Sequence, residues 1–187
     1  MRIIAGIAKR MVLAVPKGAE VRPTSDRVRE AIFSSLGERV VDAEVLDLYA
    51  GTGALGLEAG SRGARSVTFV EMATPSLDSI EKNLASFRKN NGAACEFEVL
   101  RGDVFAHLKR LGWQFQLIFA DPPYALDPAL LLAEVRSRQL LVPDGLLVLE
   151  TNKRAALDAG LLWELTREAV YGDTRVCHFR TASVGRH

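Results

Sequence analysis

The chain is poor in residues that staple or metallate small proteins. It has two cysteines, Cys95 and Cys177, and three histidines, His107, His178 and His187. Two cysteines do not build a disulfide framework, and they read as reduced structural thiols. None of these side chains has metal-ligand spacing, so no metal is expected. Long apolar runs are also missing. No stretch approaches the roughly 18 residues that suggest a membrane span. The opening MRIIAGIAKRMVL is interrupted by Arg2, Lys9 and Arg10, unlike a secretory signal. A cytoplasmic protein without membrane contact is the expectation. Net charge is nearly absent at +1, but it is uneven. Residues 1–40 hold eight Lys/Arg against four acids, while the remainder holds 16 against 19. Such a basic end marks either a nucleic-acid contact or a solvated face.

What is present is an ordinary globular balance, 48% hydrophobic and 25% charged over 187 residues. That favours one domain, or one domain with a small appendage. From residue 45 apolar strands alternate with amphipathic helices. Strands are expected at 45–50, 66–71, 95–100, 116–120 and 146–151, the last after the turn signal Pro143-Asp144-Gly145. Helices are expected at about 53–62, from Thr74-Pro75 onward, at 104–111 and at 127–138. Leu77, Ile80, Leu84 and Phe87 give the second of these one apolar face. Residues 161–171 and 174–182 read as a hairpin turning at Gly172-Asp173. The sum is a doubly wound, mostly parallel α/β sheet of seven strands with a C-terminal antiparallel hairpin. Residues 1–40 lie outside the alternation as a small hairpin and a helix. That helix is capped at Thr24 or Ser25, with Val28, Ala31, Ile32 and Leu36 facing inward and Arg27 and Arg29 off that face. The remaining residues, 41–187, form the main domain.

Two motifs carry chemistry. In LDLYAGTGALG (46–56), Gly51, Gly53 and Gly56 make a G-x-G-x-x-G, and Glu71 follows at the end of the second strand. This is the outline of an adenosine-cofactor site, with the acid available to ribose hydroxyls. It does not by itself name the cofactor, and a plain strand-to-helix turn would look similar. Asp47 sits four residues before Gly51, where a carboxylate disfavours a pyrophosphate and favours a cationic ligand. S-adenosylmethionine is such a ligand, carrying a sulfonium and an ammonium. Asp103, after the third strand, is placed either to accept from an adenine amine or to cap the next helix, or both.

The second motif is Asp121-Pro122-Pro123-Tyr124, directly after the fourth strand. In doubly wound sheets the first and fourth strands flank the crevice where ligands bind. An exocyclic amine about to attack a methyl group needs acceptors for its hydrogens, here the Asp121 carboxylate and the Pro122 carbonyl. The prolines fix the backbone and remove donors. Tyr124 offers a stacking face for a flipped-out or single-stranded base.

With these residues on the page, the chain resembles the bacterial small-subunit rRNA guanine-N2 methyltransferase D family, a group of class I S-adenosylmethionine-dependent methyltransferases. The resemblance rests on RIIAG (2–6), RPTSDRVREAIF (22–33), LDLYAGTGALGLEAGSRGA (46–64), FVE (69–71), DPPY (121–124) and YGDT (171–174). It implies methylation of the N2 amine of a guanine in 16S rRNA, as free RNA or within a 30S subunit or assembly intermediate; the sequence leaves the oligomeric state open, and a monomer is the expectation. By the same resemblance, Ala50, Gly51, Thr52 and Gly53 hold the methionine part of S-adenosylmethionine, Glu71 the ribose, and Met72, Asp103 and Val104 the adenine. Asp121 to Tyr124 hold guanine. Arg22, Thr24, Arg27 and Arg29 border the RNA entrance, with Arg2, Lys9 and Arg10 completing the basic end. Three other readings stay open on the residues alone. One is an N6-adenine methyltransferase on DNA or RNA, which shares the DPPY motif. Another is an NAD-dependent oxidoreductase, which shares the glycines. The last is a non-catalytic RNA-binding assembly factor, which would need only the basic end.

Overall fold

The central strands are buried on both faces, so the sheet carries a core on each side. The computed structural model describes residues 1–16, 25–91 and 94–182. Its elements run α1 (Asp26–Leu36), β1 (Glu44–Leu48), α2 (Ala54–Ser61), β2 (Ser66–Glu71), α3 (Thr74–Asn91), β3 (Glu96–Arg101), α4 (Val104–Leu108), β4 (Phe115–Ala120), α5 (Pro128–Ser137), β5 (Leu141–Asn152), β6 (Trp163–Tyr171) and β7 (Thr174–Thr181). The strands order as β3-β2-β1-β4-β5-β7-β6. The first five are mutually parallel, and β7 pairs antiparallel with both β5 and β6. This is the expected sheet, with β1 and β4 adjacent at the switch point.

Successive residues of a strand face opposite sides, and the cores divide accordingly. Val45, Val67, Phe69 and Phe119 pack with α1, α2 and α3. Leu46, Leu48, Ile118 and Leu149 pack with α4 and α5 on the other side. Burying each such Val, Leu or Phe contributes roughly 1.5–3 kcal/mol. Asp47 has the same parity as Val45, so its carboxylate points under α2.

The N-terminal segment is part of the first core. Arg2 bridges Val12 as the expected small hairpin, and Ile3, Ala8 and Leu13 are buried with Ile32 and Phe33. The hairpin lies on the outer side of α2, and every residue of α2 is buried as a result. Two polar side chains of α2 hold it there. The Glu58 carboxylate accepts from Ile4 N at 2.7 Å and Ala5 N at 3.0 Å. Ser61 accepts from Ala8 N at 2.9 Å and donates to the Ala5 carbonyl at 2.6 Å.

Several boundaries differ from expectation. The α1 cap is Ser25, one of the two expected, accepting from Val28 N at 3.2 Å; Thr24 lies outside the described residues. The inward face of α1 is Val28, Ile32, Phe33 and Leu36, with Ala31 at its margin. The α4 helix stops at Leu108, before a turn in which Leu111 N donates to the His107 carbonyl at 3.1 Å. Pro143-Asp144-Gly145 does not precede β5 but bulges within it. Phe115 pairs with Leu141 and Leu117 with Leu146. Pro143 offers no N–H to the ladder and Asp144 takes a φ of 63°, so the extra residues loop out without ending the strand. Among the described residues no helix is long and apolar enough to cross a membrane.

Candidate active site

The carboxyl ends of all five parallel strands open into one cavity of about 770 Å³, within the size range of small-molecule sites. The loop after β1 supplies Tyr49 and Gly51, the end of β2 supplies Glu71 and Met72, and the loop after β3 supplies Asp103 and Val104. Asp121, Pro122, Pro123 and Tyr124 follow β4, and Glu150 and Thr151 lie near the end of β5. The cavity therefore joins the glycine loop and the DPPY segment, as the sequence predicts.

The first loop turns sharply. Tyr49, Gly51 and Gly53 have φ values of 57°, 57° and 75°. Glycine takes that region freely, whereas Tyr49 is held there at a cost, a pattern that clusters at functional sites. Gly56 has a different duty. A Cβ there would lie 2.4 Å from the Phe69 ring, so this glycine serves helix–sheet packing. The Tyr49 phenol is pushed up to about 12 by burial and by the charge of Asp103, so it stays protonated.

Glu71 braces two loops. One oxygen accepts from Gly51 N at 2.7 Å, the other from Met72 N and Ala73 N at 2.8 Å. A carboxylate offers about four acceptor sites, which leaves room for a hydroxyl at the cavity edge. Asp103 lines the cavity and caps α4 at once, accepting from Ala106 N at 2.8 Å. Met72 and Tyr124 are exposed and stand at the mouth. The Pro123 carbonyl is engaged by Leu126 N at 2.9 Å, so Pro122 is the proline carbonyl still to be considered for a ligand.

The structure corrects several assignments. Asp47 does not line the cavity. It is buried beneath α2, where it accepts from Gly56 N at 2.9 Å. Burial raises its carboxyl to about 8, against the Gly56 hydrogen bond, with Asp121 and Glu71 adding to the rise. Its carboxylate holds the first turn of α2. The acidic wall is instead made by Glu71, Asp103, Asp121 and Glu150. Ala50, Thr52 and Gly53 also stand behind the lining. Thr52 is buried, and Asn83 Nδ2 donates to its carbonyl at 3.0 Å. These three shape the loop from behind.

Arg29 leaves the RNA-facing set. Its side chain is fully buried, donating to the Arg2 carbonyl at 2.5 Å and to Asp26 at 2.9 Å. The helical period misplaced it because α1 is covered on this side by the N-terminal hairpin. Arg27 is exposed and lines the cavity mouth, while Arg2, Lys9 and Arg10 are exposed on the hairpin, outside the cavity. Arg22 and Thr24 lie outside the described residues. Residues that sequence reasoning gave no role also reach the cavity: Tyr49, Glu150 and the β6–β7 turn at Tyr171 and Thr174. The last pair stands in the YGDT segment, which was a signal for the family without an assigned task.

The raised Asp47 carboxyl has a measurable consequence. An acid whose folded value lies above its unfolded one binds more protons in the native state. Its contribution to stability is therefore present at low pH and is lost as pH rises from about 4 towards 8. Asp47→Asn removes this loss while its side-chain carbonyl still accepts from Gly56. In thermal melts the wild type should lose a few degrees relative to Asp47→Asn between pH 5 and 9. A constant difference across that range would show that Asp47 does not titrate in this way.

The comparisons agree with this architecture. The profile of a family described as "Conserved hypothetical protein 95" matches residues 1–180. Ribosomal RNA small subunit methyltransferase D of Escherichia coli K12 is 35% identical over 176 residues, covering 92% of this chain and 85% of that protein. The protein of the same name from Haemophilus influenzae is 34% identical over 175 residues, covering 92% and 89%. Among solved structures, Escherichia coli yhhF superposes with a TM-score of 0.83 at 32% identity, covering 97% of each chain. A hypothetical protein from Thermus thermophilus superposes at 0.79 with 31% identity, covering 95% of this chain and 98% of that one. The sheet is that of the class I methyltransferases, and the chain belongs to the ribosomal RNA small subunit methyltransferase D family.

Proposed function

We propose that the chain methylates the N2 amine of a guanine in 16S rRNA, within a small ribosomal subunit or an assembly intermediate, and does so as a monomer. At the coarser level its family places it among the S-adenosylmethionine-dependent rRNA methyltransferases. The observation that carries methyl transfer to a base amine is that DPPY and the glycine loop open into the same acidic cavity; the choice of small-subunit rRNA is supported by the relatives' names.

The residues fit the cofactor. Four carboxylates line the cavity, which favours a cationic guest and opposes a pyrophosphate. That consideration replaces the one first attached to Asp47 and counts against the dinucleotide reading. Gly51 and Tyr49 would hold the methionine end, Glu71 the ribose, and Met72, Asp103 and Val104 the adenine. When bound, the cofactor supplies a methyl group on a cationic sulfur. Asp121 and the Pro122 carbonyl accept the two amine hydrogens, drawing the nitrogen lone pair out of the base ring. Tyr124 at the mouth stacks on the base. The nitrogen becomes cationic as its new bond to carbon forms, and Asp121 is placed to receive the proton it then sheds. Most of the rate comes from this positioning.

The test is to treat under-modified small subunits with the protein and labelled cofactor, then digest the RNA. N2-methylguanosine is the expected product. N6-methyladenosine would replace this reading with the adenine one, which shares DPPY.

We assign residues 1–40 to the RNA contact and 41–187 to the catalytic domain. What supports this is the basic excess of residues 1–40 and the place of Arg27 at the cavity mouth. Arg27→Ala should weaken RNA binding several-fold and lower the slope of log affinity against log salt by about one. An unchanged slope would make Arg27 a structural residue.

A further inference from the structure

We infer that Glu150 reads the N1–H of the target guanine and is the residue that rejects adenine. This rests on the methyl-transfer reading of the cavity and deepens it.

The placement follows from register. Ala120 of β4 pairs with Leu149 of β5, so Asp121 and Glu150 are the next neighbours along adjacent strands. Alternation gives both the parity of Phe119 and Val148, whose side chains belong to the core on the α1 side. Ser25, Arg27 and Val28 of the α1 end close the cavity on that side. Adjacent strands lie about 4.8 Å apart. A base whose amine meets Asp121 therefore presents its next ring position to Glu150.

Chemistry then selects the base. Guanine carries two neighbouring donors on that edge, the N2 amine and N1–H. Adenine carries a bare lone pair at N1. Glu150 is 3% exposed yet lines the cavity, so it sits on the cavity floor, away from bulk water. In its ionised form, which a donating N1–H favours, the Glu150 side chain is an acceptor only. It welcomes N1–H and repels an N1 lone pair, and such unpaired or opposed polar groups in a dry site give strong discrimination. A carboxylate has about four acceptor positions, so contacts Glu150 makes with the protein leave places for the base. The DPPY segment accepts an amine of either purine. The second acid supplies the discrimination that DPPY lacks.

2-Aminopurine separates the two roles. It keeps the amine at C2 but has a lone pair at N1. Small subunits reconstituted from 16S rRNA carrying 2-aminopurine in place of the methylated guanine are compared with guanine-bearing ones. The wild type should show kcat/KM at least about 100-fold lower on 2-aminopurine. In Glu150→Gln the amide can donate to that N1, and the ratio should shrink to about tenfold or less. Glu150→Ala, which neither accepts nor repels, should also shrink it. Thermal melts and cofactor titration check that the variants fold. If neither variant folds, the wild-type ratio alone decides, because equal turnover of both bases overturns the assignment. An unchanged ratio in folded variants also overturns it. If the wild type yields N6-methyladenosine, or no product, it is the proposed function that falls.

Discussion

Asp121→Ala should lower kcat by about 10²–10³-fold while leaving the affinity for S-adenosylmethionine within a few-fold of the wild type. The size is that expected when one preorganised polar partner of a reacting group is removed. The amine lone pair is conjugated with the purine ring. It becomes nucleophilic only when its hydrogens are drawn out of plane by acceptors, and Asp121 is the side-chain acceptor of the DPPY segment lining the cavity. Its contribution appears in the transition state, so kcat should fall with kcat/KM rather than KM rising alone. Asp121→Asn separates acceptance from proton uptake. Asparagine retains a carbonyl acceptor, and its rate should lie between those of the wild type and alanine. Full activity in Asp121→Ala would remove this residue from the chemistry and leave positioning by Pro122 and Tyr124 alone.

The sequence displayed the site more clearly than it displayed what surrounds it. DPPY and the glycine loop were legible because each is local: a strand end followed by residues whose backbone and side-chain chemistry are unusual there. Asp103 was legible in both of its possible duties, and it performs the helix cap while facing the cavity. Asp47 was misread because one-dimensional proximity to Gly51 does not reveal how far the following helix covers a side chain. Its carboxylate is on the sheet face that Asp121 and Glu150 also use, but it lies deeper, covered by the first turn of α2. Glu150 was missed for the complementary reason. It follows the apolar run 146–149 near the end of β5, and nothing local marks it. Only the β4–β5 register brings it beside Asp121. Arg29 failed through tertiary cover, since the hairpin that buries it is distant in sequence. The same cover leaves α2 without a solvent face, although Glu58 and Ser61 are polar.

Glu58 carries the largest expected effect on stability. It is fully buried, accepts from Ile4 N and Ala5 N, and forms a salt bridge with Arg62 at 2.8 Å. Alanine would strand two backbone donors and the inner side of a guanidinium, and would leave a void between α2 and the hairpin. Removing one partner of a buried, hydrogen-bonded ion pair costs on the order of 3 kcal/mol or more. In a chain of this size that lowers Tm by about 10 °C. Glu58→Gln should recover part of the loss, because its carbonyl still accepts one backbone N–H while its amide opposes the other donors. The hairpin also carries the Arg2 carbonyl that Arg29 of α1 bonds, and the end of α1 closes the cavity with Ser25, Arg27 and Val28. Loosening the hairpin should therefore reach the mouth of the site. At a temperature where Glu58→Ala remains folded, its KM for the RNA substrate should rise, whereas cofactor affinity, set by loops after β1 to β3, should hold. A Tm within about 2 °C of the wild type would show that the hairpin is fastened by its apolar residues Ile3, Ala8 and Leu13, and that Glu58 adds little.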